Sequence, residues 1–154
     1  MSRVERKYVL DTNLFIDGFR HERAQQELVQ FHTLFAPFEF LSAIVVQELL
    51  TGVRSAGDLR ALRRHIVEPF LRRGRLVTPS DRAWQESGEL LNRMIREQGL
   101  RPSEISKSFA NDVLLALSCR EAGMTLVTAN TKDFERISRL VPFQFVGSWP
   151  TPVG

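Results

Sequence analysis

The sequence predicts an α/β fold in which a central parallel sheet of about four to five strands is flanked by helices on both faces. Short, almost wholly apolar segments alternate along the chain with longer segments whose apolar residues recur at helical spacing. Strands that read as continuous apolar runs are typical of a parallel sheet buried on both faces. The 154 residues suit a single domain over residues 1–154, with a core at about residues 7–147 and a proline-rich tail at residues 148–154.

The first part of the chain is predicted to contain two strands and two helices. Tyr8–Leu10 and residues 38–41 are short apolar runs and are expected to be strands, and the polar residues 11–13 are expected to form a turn. Apolar residues at helical spacing predict a helix over residues 21–34. Ser42 stands where an N-cap would begin the helix that follows the second strand.

The middle of the chain is predicted to contain two helices separated by the third strand. Asp58 is expected to cap the first of these helices, and residues 76–78 are expected to form the strand. Ser80 is expected to cap the second, which is long, ends near Gly99 and carries Trp84 in its apolar face.

The last part of the chain is predicted to contain two strands and two helices. Residues 109–122 form a strong helical pattern that ends at Gly123, the usual residue after a helix. Residues 124–127 are expected to be the fourth strand, a short helix is expected to begin at Asp133, and residues 143–146 are expected to be the last strand.

The composition argues against several other classes of protein. Cys119 is the only cysteine, so an intramolecular disulfide cannot form, and a lone thiol fits a reducing compartment. The first seven residues lack the apolar core of a signal peptide, and no apolar run approaches the roughly 18 residues of a membrane helix. We therefore expect a cytoplasmic protein that does not bind a membrane, in which Cys119 is an inert core residue.

Four acidic residues fall where this fold could bring them together. Asp11 follows the first strand and Asp133 follows the fourth, and open α/β sheets bind ligands beyond the carboxyl ends of their strands. Glu48 and Asp112 lie in apolar faces of predicted helices, where acidic residues are almost never buried unpaired. Taken alone, either of these two is more often an ion-paired or capping residue.

Four neighbouring carboxylates would need protons or a cation. Two carboxylates about 4 Å apart repel by roughly 4 kcal/mol at an effective dielectric constant of 20. A donor set made only of oxygen atoms selects hard cations such as Mg²⁺ or Mn²⁺. Such an ion can activate water and stabilise phosphoryl charge, so the chemistry predicted is phosphodiester hydrolysis.

Other common catalytic patterns are missing from the sequence. The three histidines do not have the spacing of zinc ligands and are expected to be surface or packing residues. Gly52 and Gly57 have the spacing of a phosphate-binding loop, but the Lys-Ser/Thr pair that this loop requires does not follow them.

Residues 54–82 form a basic band. They carry eight arginines and three acidic residues, a local net charge of +5 in a chain whose net charge is +3. The guanidinium fork matches phosphate geometry, so the band suggests contact with phosphates; a solvated helix face or a partner surface is the alternative. The candidate phosphate-binding residues are Arg60, Arg63, Arg64, Arg72, Arg73 and Arg75.

Four short motifs follow one another along the chain. They are Tyr-Val-Leu-Asp-Thr-Asn at residues 8–13, Ser42 with Glu48, Leu49 and Gly52, Asn-Asp-Val-Leu-Leu-Ala at residues 111–116, and Thr-Ala-Asn-Thr-Lys-Asp-Phe at residues 128–134. In this order they resemble the motifs of the PIN-domain family, and within it those of the VapC-type toxin ribonucleases of toxin–antitoxin pairs. The resemblance extends from about Lys7 to Gly147.

The resemblance implies a metal-dependent endoribonuclease that uses Mg²⁺ or Mn²⁺. Asp11, Glu48, Asp112 and Asp133 would be its catalytic residues. The metal ligands would be Asp11, Asp112 and Asp133, while Glu48 would orient the attacking water or help to hold a second ion. Four residues would fix these carboxylates by hydrogen bonding, namely Thr12, Asn13, Thr128 and Asn130. The basic band would hold RNA phosphates.

The resemblance also implies partners, namely an RNA substrate, a VapB-like antitoxin and a second copy of the chain in a homodimer. Two other hypotheses stay open at this point. One is a non-catalytic module of the same fold that binds RNA or docks a protein. The other is an aspartyl-phosphate protein with Asp11 as the nucleophile, which would need a cation such as Lys107 or Lys132 close by.

Overall fold

Five short strands and eight α-helices make up the computed structural model, which describes residues 6–147 and 149–152. The strands are β1 (Tyr8–Leu10), β2 (Glu39–Ser42), β3 (Leu76–Val77), β4 (Thr125–Val127) and β5 (Phe145–Val146). The helices are α1 (Thr12–Arg20), α2 (Glu22–Phe35), α3 (Ala43–Gly52), α4 (Ala56–Leu62), α5 (Glu68–Arg72), α6 (Asp81–Gln98), α7 (Lys107–Ala122) and α8 (Thr131–Ser138). A π-helical turn, Arg63–Val67, joins α4 to α5.

The strands form one parallel sheet in the order β3-β2-β1-β4-β5, flanked by helices, which confirms the predicted fold class. The first and fourth strands are neighbours at its centre, and Leu10 of β1 lies opposite Val127 of β4. The backbone N–H of Asp11 donates to the carbonyl of Val127 at 2.9 Å, so the pairing continues one residue beyond β1. The residues that follow β1 and β4 therefore emerge side by side.

The core fills the space between the sheet and its helices. Its largest fully buried side chains include Phe15 of α1 and Phe134 of α8. On α2, Phe31 packs against the ring of Tyr8 with centroids 6.0 Å apart. Trp149 in the C-terminal tail lies over the same Phe31 ring at 5.2 Å and donates from its indole nitrogen to Glu27 at 2.9 Å. Trp149 therefore packs against α2, and residues 149–152 add no strand to the sheet.

Two local predictions about helix starts were wrong. Residues 11–13 do not form a turn, because Asp11 accepts a hydrogen bond from the Thr12 backbone and acts as the N-cap of α1. Asp58 does not cap α4, because the hydroxyl of Ser55 accepts from the Asp58 backbone N–H and Asp58 lies in the first turn. Helix α1 was therefore not predicted at all, whereas α4 begins three residues earlier than predicted. In each case a short polar side chain accepts a hydrogen bond from the backbone of the first turn.

Candidate active site

The four predicted acidic residues all lie near the carboxyl ends of the central strands. Asp11 follows β1 directly, and Asp133 lies in the first turn of α8, just after β4. Glu48 lies in the second turn of α3, which begins directly after β2. Asp112 lies in the second turn of α7, and because α7 ends just before β4 begins, its first turns are at the same edge of the sheet.

Asp112 experiences the charge of all three other acidic residues. Its side chain is buried, and the pKa of Asp112 rises to about 8, first through burial and then through the charges of Asp11, Glu48 and Asp133. Burial also raises the pKa of Glu48; a hydrogen bond from Thr12 opposes this shift, and the charge of Asp11 adds to it. The fold therefore holds four carboxylates close enough to repel one another.

Asp11 is the most heavily hydrogen-bonded of the four. Its Oδ1 accepts from the backbone N–H of Thr12 at 2.8 Å, and its Oδ2 accepts from the hydroxyl of Thr128 at 2.7 Å. The side-chain amide of Asn13 also donates to Oδ2 at 3.3 Å. Burial raises the pKa of Asp11, and these three hydrogen bonds oppose that rise by stabilising the carboxylate.

The side chains of Thr12 and Asn130 donate hydrogen bonds to the other three carboxylates. The hydroxyl of Thr12 donates to Glu48 Oε1 at 3.0 Å. The amide nitrogen of Asn130 donates to Oδ2 of Asp133 at 3.1 Å and to Oδ2 of Asp112 at 3.4 Å. The structure thus brings together the four acidic residues and the four supporting residues that were selected from the sequence.

The donor set fits a hard divalent cation. The ligand atoms available are carboxylate oxygens, and a cation among them would offset the repulsion that raises the pKa of Asp112. No three Asp, Glu, His or Cys side chains within residues 6–147 and 149–152 form a ready-made metal cage. Mg²⁺ does not need one, since it keeps several waters and commonly binds through one or two carboxylates.

Part of the basic band lies away from the carboxylates. Five of its candidate arginines are exposed, and none of the salt bridges among the described residues includes them. Arg75 is half-buried and donates from its guanidinium to the carbonyl of Ala36. Arg73 and Arg75 precede β3 and so lie at the edge where the strands begin, whereas the carboxylates lie where the strands end.

Lys107 is a positively charged residue close enough to the acidic cluster to act on Glu48. As the first residue of α7 it is exposed, and its positive charge is the last of four influences on the pKa of Glu48, which it lowers. No salt bridge in the described part of the chain includes it. The sequence signal for this residue was its position five residues before Asp112.

A parallel α/β sheet with an acidic cluster at the carboxyl ends of its strands defines the class of this protein. The sequence matches the PIN domain over residues 8–140, and the chain belongs to the PIN domain family, as its motifs suggested. No curated protein matches the sequence.

Several solved structures are similar over nearly the whole chain. The DNA-bound VapBC of Salmonella typhimurium is 21% identical, with a TM-score of 0.66, and the match covers 92% of this chain and 98% of that one. VapBC2 of Rickettsia felis, bound to a fragment of its promoter, is 25% identical, with a TM-score of 0.61 and coverage of 90% and 96%. VapBC-1 of nontypeable Haemophilus influenzae is 24% identical, with a TM-score of 0.61 and the same coverage.

Proposed function

We propose that this protein is a Mg²⁺- or Mn²⁺-dependent endoribonuclease that hydrolyses phosphodiester bonds in RNA. The observation that carries the proposal is the gathering of four carboxylates at one edge of the sheet, where Asn130 hydrogen-bonds both Asp112 and Asp133. Carboxylates held this close repel one another, which costs stability unless a proton or a cation offsets the repulsion, and such arrangements cluster at functional sites. Membership of the PIN domain family supports the same reading.

Each acidic residue has a distinct part in the proposed reaction. Asp11, Asp112 and Asp133 would hold the ion through their carboxylate oxygens. When bound, such an ion activates water as a nucleophile and offsets the negative charge that develops on the phosphate. Glu48 orients the attacking water, and the hydroxyl of Thr12 fixes one oxygen of that carboxylate at 3.0 Å. The other Glu48 oxygen is then available to accept a proton from the water.

The environment of Asp11 favours a ligand over a nucleophile. An aspartyl-phosphate protein needs a carboxylate oxygen that is free to attack a phosphoryl group. Asp11 is only 4% exposed, and both of its oxygens accept hydrogen bonds. Those bonds hold the carboxylate in one orientation, which suits the coordination of an ion.

We extend the proposal to the biological role of the protein. It would be the toxin of a VapBC-like toxin–antitoxin pair, would act in the cytoplasm as a homodimer and would be neutralised by a VapB-like antitoxin. The Rickettsia felis VapBC2 structure supports this, with 25% identity over 90% of the chain. No helix in residues 6–147 or 149–152 is long and apolar enough to cross a membrane.

The activity is tested by cleavage of RNA with and without divalent cations. We expect the purified protein to cleave RNA in Mg²⁺ or Mn²⁺, to stop in EDTA and to resume when excess Mn²⁺ is added back. Binding of RNA that is insensitive to EDTA, with no cleavage under any of these conditions, would instead support a non-catalytic module of the same fold.

A further inference from the structure

The loop between β4 and α8 contacts three of the four carboxylates. The hydroxyl of Thr128 donates to Asp11 at 2.7 Å and accepts from the backbone N–H of Asn130 at 3.0 Å. The side chain of Asn130 then reaches Asp133 at 3.1 Å and Asp112 at 3.4 Å. A single amide nitrogen therefore bridges two carboxylates that belong to different helices, α7 and α8.

Asn130 does not serve as an ordinary helix cap. It occupies the N-cap position of α8, where asparagine commonly accepts a hydrogen bond from the helix backbone, but its side chain makes no such bond. The N-cap serines of α3, α4, α6 and α7 all accept one. The side-chain amide of Asn130 bonds the two carboxylates and does not cap α8.

Asn130 bonds only one of the two carboxylate oxygens of each aspartate. A side-chain amide nitrogen has two N–H donors and no charge, so it can bond both carboxylates without neutralising either of them. It bonds Oδ2 of Asp112 and Oδ2 of Asp133, and within the described residues no hydrogen bond reaches the Oδ1 atom of either. The two Oδ1 atoms therefore stay available to another partner.

We propose that Asn130 is a positioning residue that selects the carboxylate oxygens offered to the cation. By tying the Oδ2 atoms of Asp112 and Asp133 together, it presents their Oδ1 atoms to the ion as a pair. This inference rests on the metal dependence proposed above, and it adds that Asn130 controls metal affinity through Asp133. Groups that orient metal ligands in this way typically change metal affinity by about 10- to 100-fold when they are removed.

Calorimetric titration of the purified full-length protein with Mn²⁺ tests this inference. We expect N130A to weaken Mn²⁺ binding by about 10- to 100-fold. N130S should be as weak as N130A, since serine is a good N-cap but has one donor and cannot bridge two carboxylates. N92A is the matched control, because Asn92 is exposed on α6 and contacts Arg96; it should bind Mn²⁺ as the wild type does.

A double-mutant cycle separates positioning from a general effect on the fold. If Asn130 acts through Asp133, N130A should lose at least about fivefold less affinity in a D133N background than in the wild type. Wild-type affinity in N130A or N130S, or equal losses in both backgrounds, would overturn the inference while leaving the proposed nuclease intact. Failure of the wild type itself to bind Mn²⁺ would overturn both.

Discussion

Asp112 shows how a single residue can oppose the stability of the fold that holds it. Burial and the charges of Asp11, Glu48 and Asp133 raise the pKa of Asp112 from 3.8 to about 8. The folded state therefore binds this proton more tightly than the unfolded state does. The resulting stability is fully present below the unfolded pKa of 3.8 and is lost as the pH rises through about 8.

Replacing Asp112 with asparagine should remove this pH dependence. In EDTA, we expect the melting temperature of the wild type to fall between pH 6 and pH 9, whereas D112N should lose less and be the more stable protein at pH 9. Thermal unfolding followed by circular dichroism measures both. D17N is the control, because Asp17 is an exposed residue of α1 and its replacement should leave the pH profile unchanged. A D112N profile parallel to that of the wild type would contradict this account.

Among individual residues, the sequence predicted that the four acidic residues lie together, but it did not predict other polar contacts of the fold. The acidic residues were selected because they follow strands or interrupt apolar helical faces, and both signals are local. The pair formed by His32 and Glu39 has no such signal. Glu39 is only 3% exposed, and its Oε2 lies 2.6 Å from Nδ1 of His32, a contact that joins α2 to the first residue of β2. Only the tertiary structure shows that this histidine has an acidic partner.

At the scale of elements, the buried face of helix α6 differs from the apolar face that its sequence predicts. Trp84 was expected in the apolar face of α6, but it is 59% exposed. The buried side is formed by Ala83, Ser87, Leu90 and Met94, which recur at helical spacing one residue out of step with Trp84. Small residues at two of these positions allow close approach to α7, and hydrophobicity alone does not reveal that stripe.

The N-cap of α6 also links this helix to α7. Ser80 Oγ accepts from the backbone N–H of Ala83 at 3.1 Å and donates to Glu121 Oε2 at 2.7 Å. We therefore expect S80A to lower the free energy of unfolding by about 1–2 kcal/mol, the upper part of the range for a lost cap. Urea denaturation measures this change.

S55A is the matched control for that experiment. Ser55 is also an exposed N-cap serine, but its hydroxyl makes a single hydrogen bond among the described residues, which it accepts from the backbone N–H of Asp58 at 3.0 Å. Its loss should cost about 0.5–1 kcal/mol. A cost for S80A that is no larger than the cost for S55A would show that the contact with Glu121 adds nothing to stability.

At the scale of the whole molecule, the order of the strands creates the site. Asp11 and Thr128 are 117 residues apart in the chain, yet they are in hydrogen-bond contact because β1 and β4 are parallel neighbours. The alternation of strands and helices predicted a parallel sheet, and the carboxyl ends of such strands meet at one edge. Which strands are neighbours is a long-range property that the local pattern of apolar residues does not determine, and the structure shows that β1 and β4 are neighbours.

The arginines of this protein differ in whether an acidic side chain pairs with them, and we expect the unpaired ones to bind RNA phosphates. Arg60, Arg63 and Arg64 are exposed and form no salt bridge with the described residues, whereas Arg93 and Arg101 lie outside the basic band and are paired with glutamates. Replacing the first three with glutamine should weaken RNA binding in EDTA and reduce the slope of log affinity against log salt by about 2, at roughly 0.7 per phosphate contact.

The comparable variant is R93Q/R96Q/R101Q, which removes the same number of charges from outside the basic band. These arginines already contact Glu97, Asn92 and Glu104, so the slope should change much less. Equal changes in the two triple variants would mean that RNA responds to net charge and not to the basic band. An unchanged slope in both would leave the band as a solvated face or a partner surface.

The central claim is that the acidic cluster is the centre of a metal-dependent ribonuclease. Its most direct test is RNA cleavage in saturating Mn²⁺ by the wild type, D11N and D17N, with folding verified by circular dichroism. We expect D11N to be folded and to have no detectable cleavage, because it replaces the most heavily hydrogen-bonded carboxylate of the site, and we expect D17N to cleave as the wild type does. A folded D11N that cleaves RNA at the wild-type rate would contradict the claim.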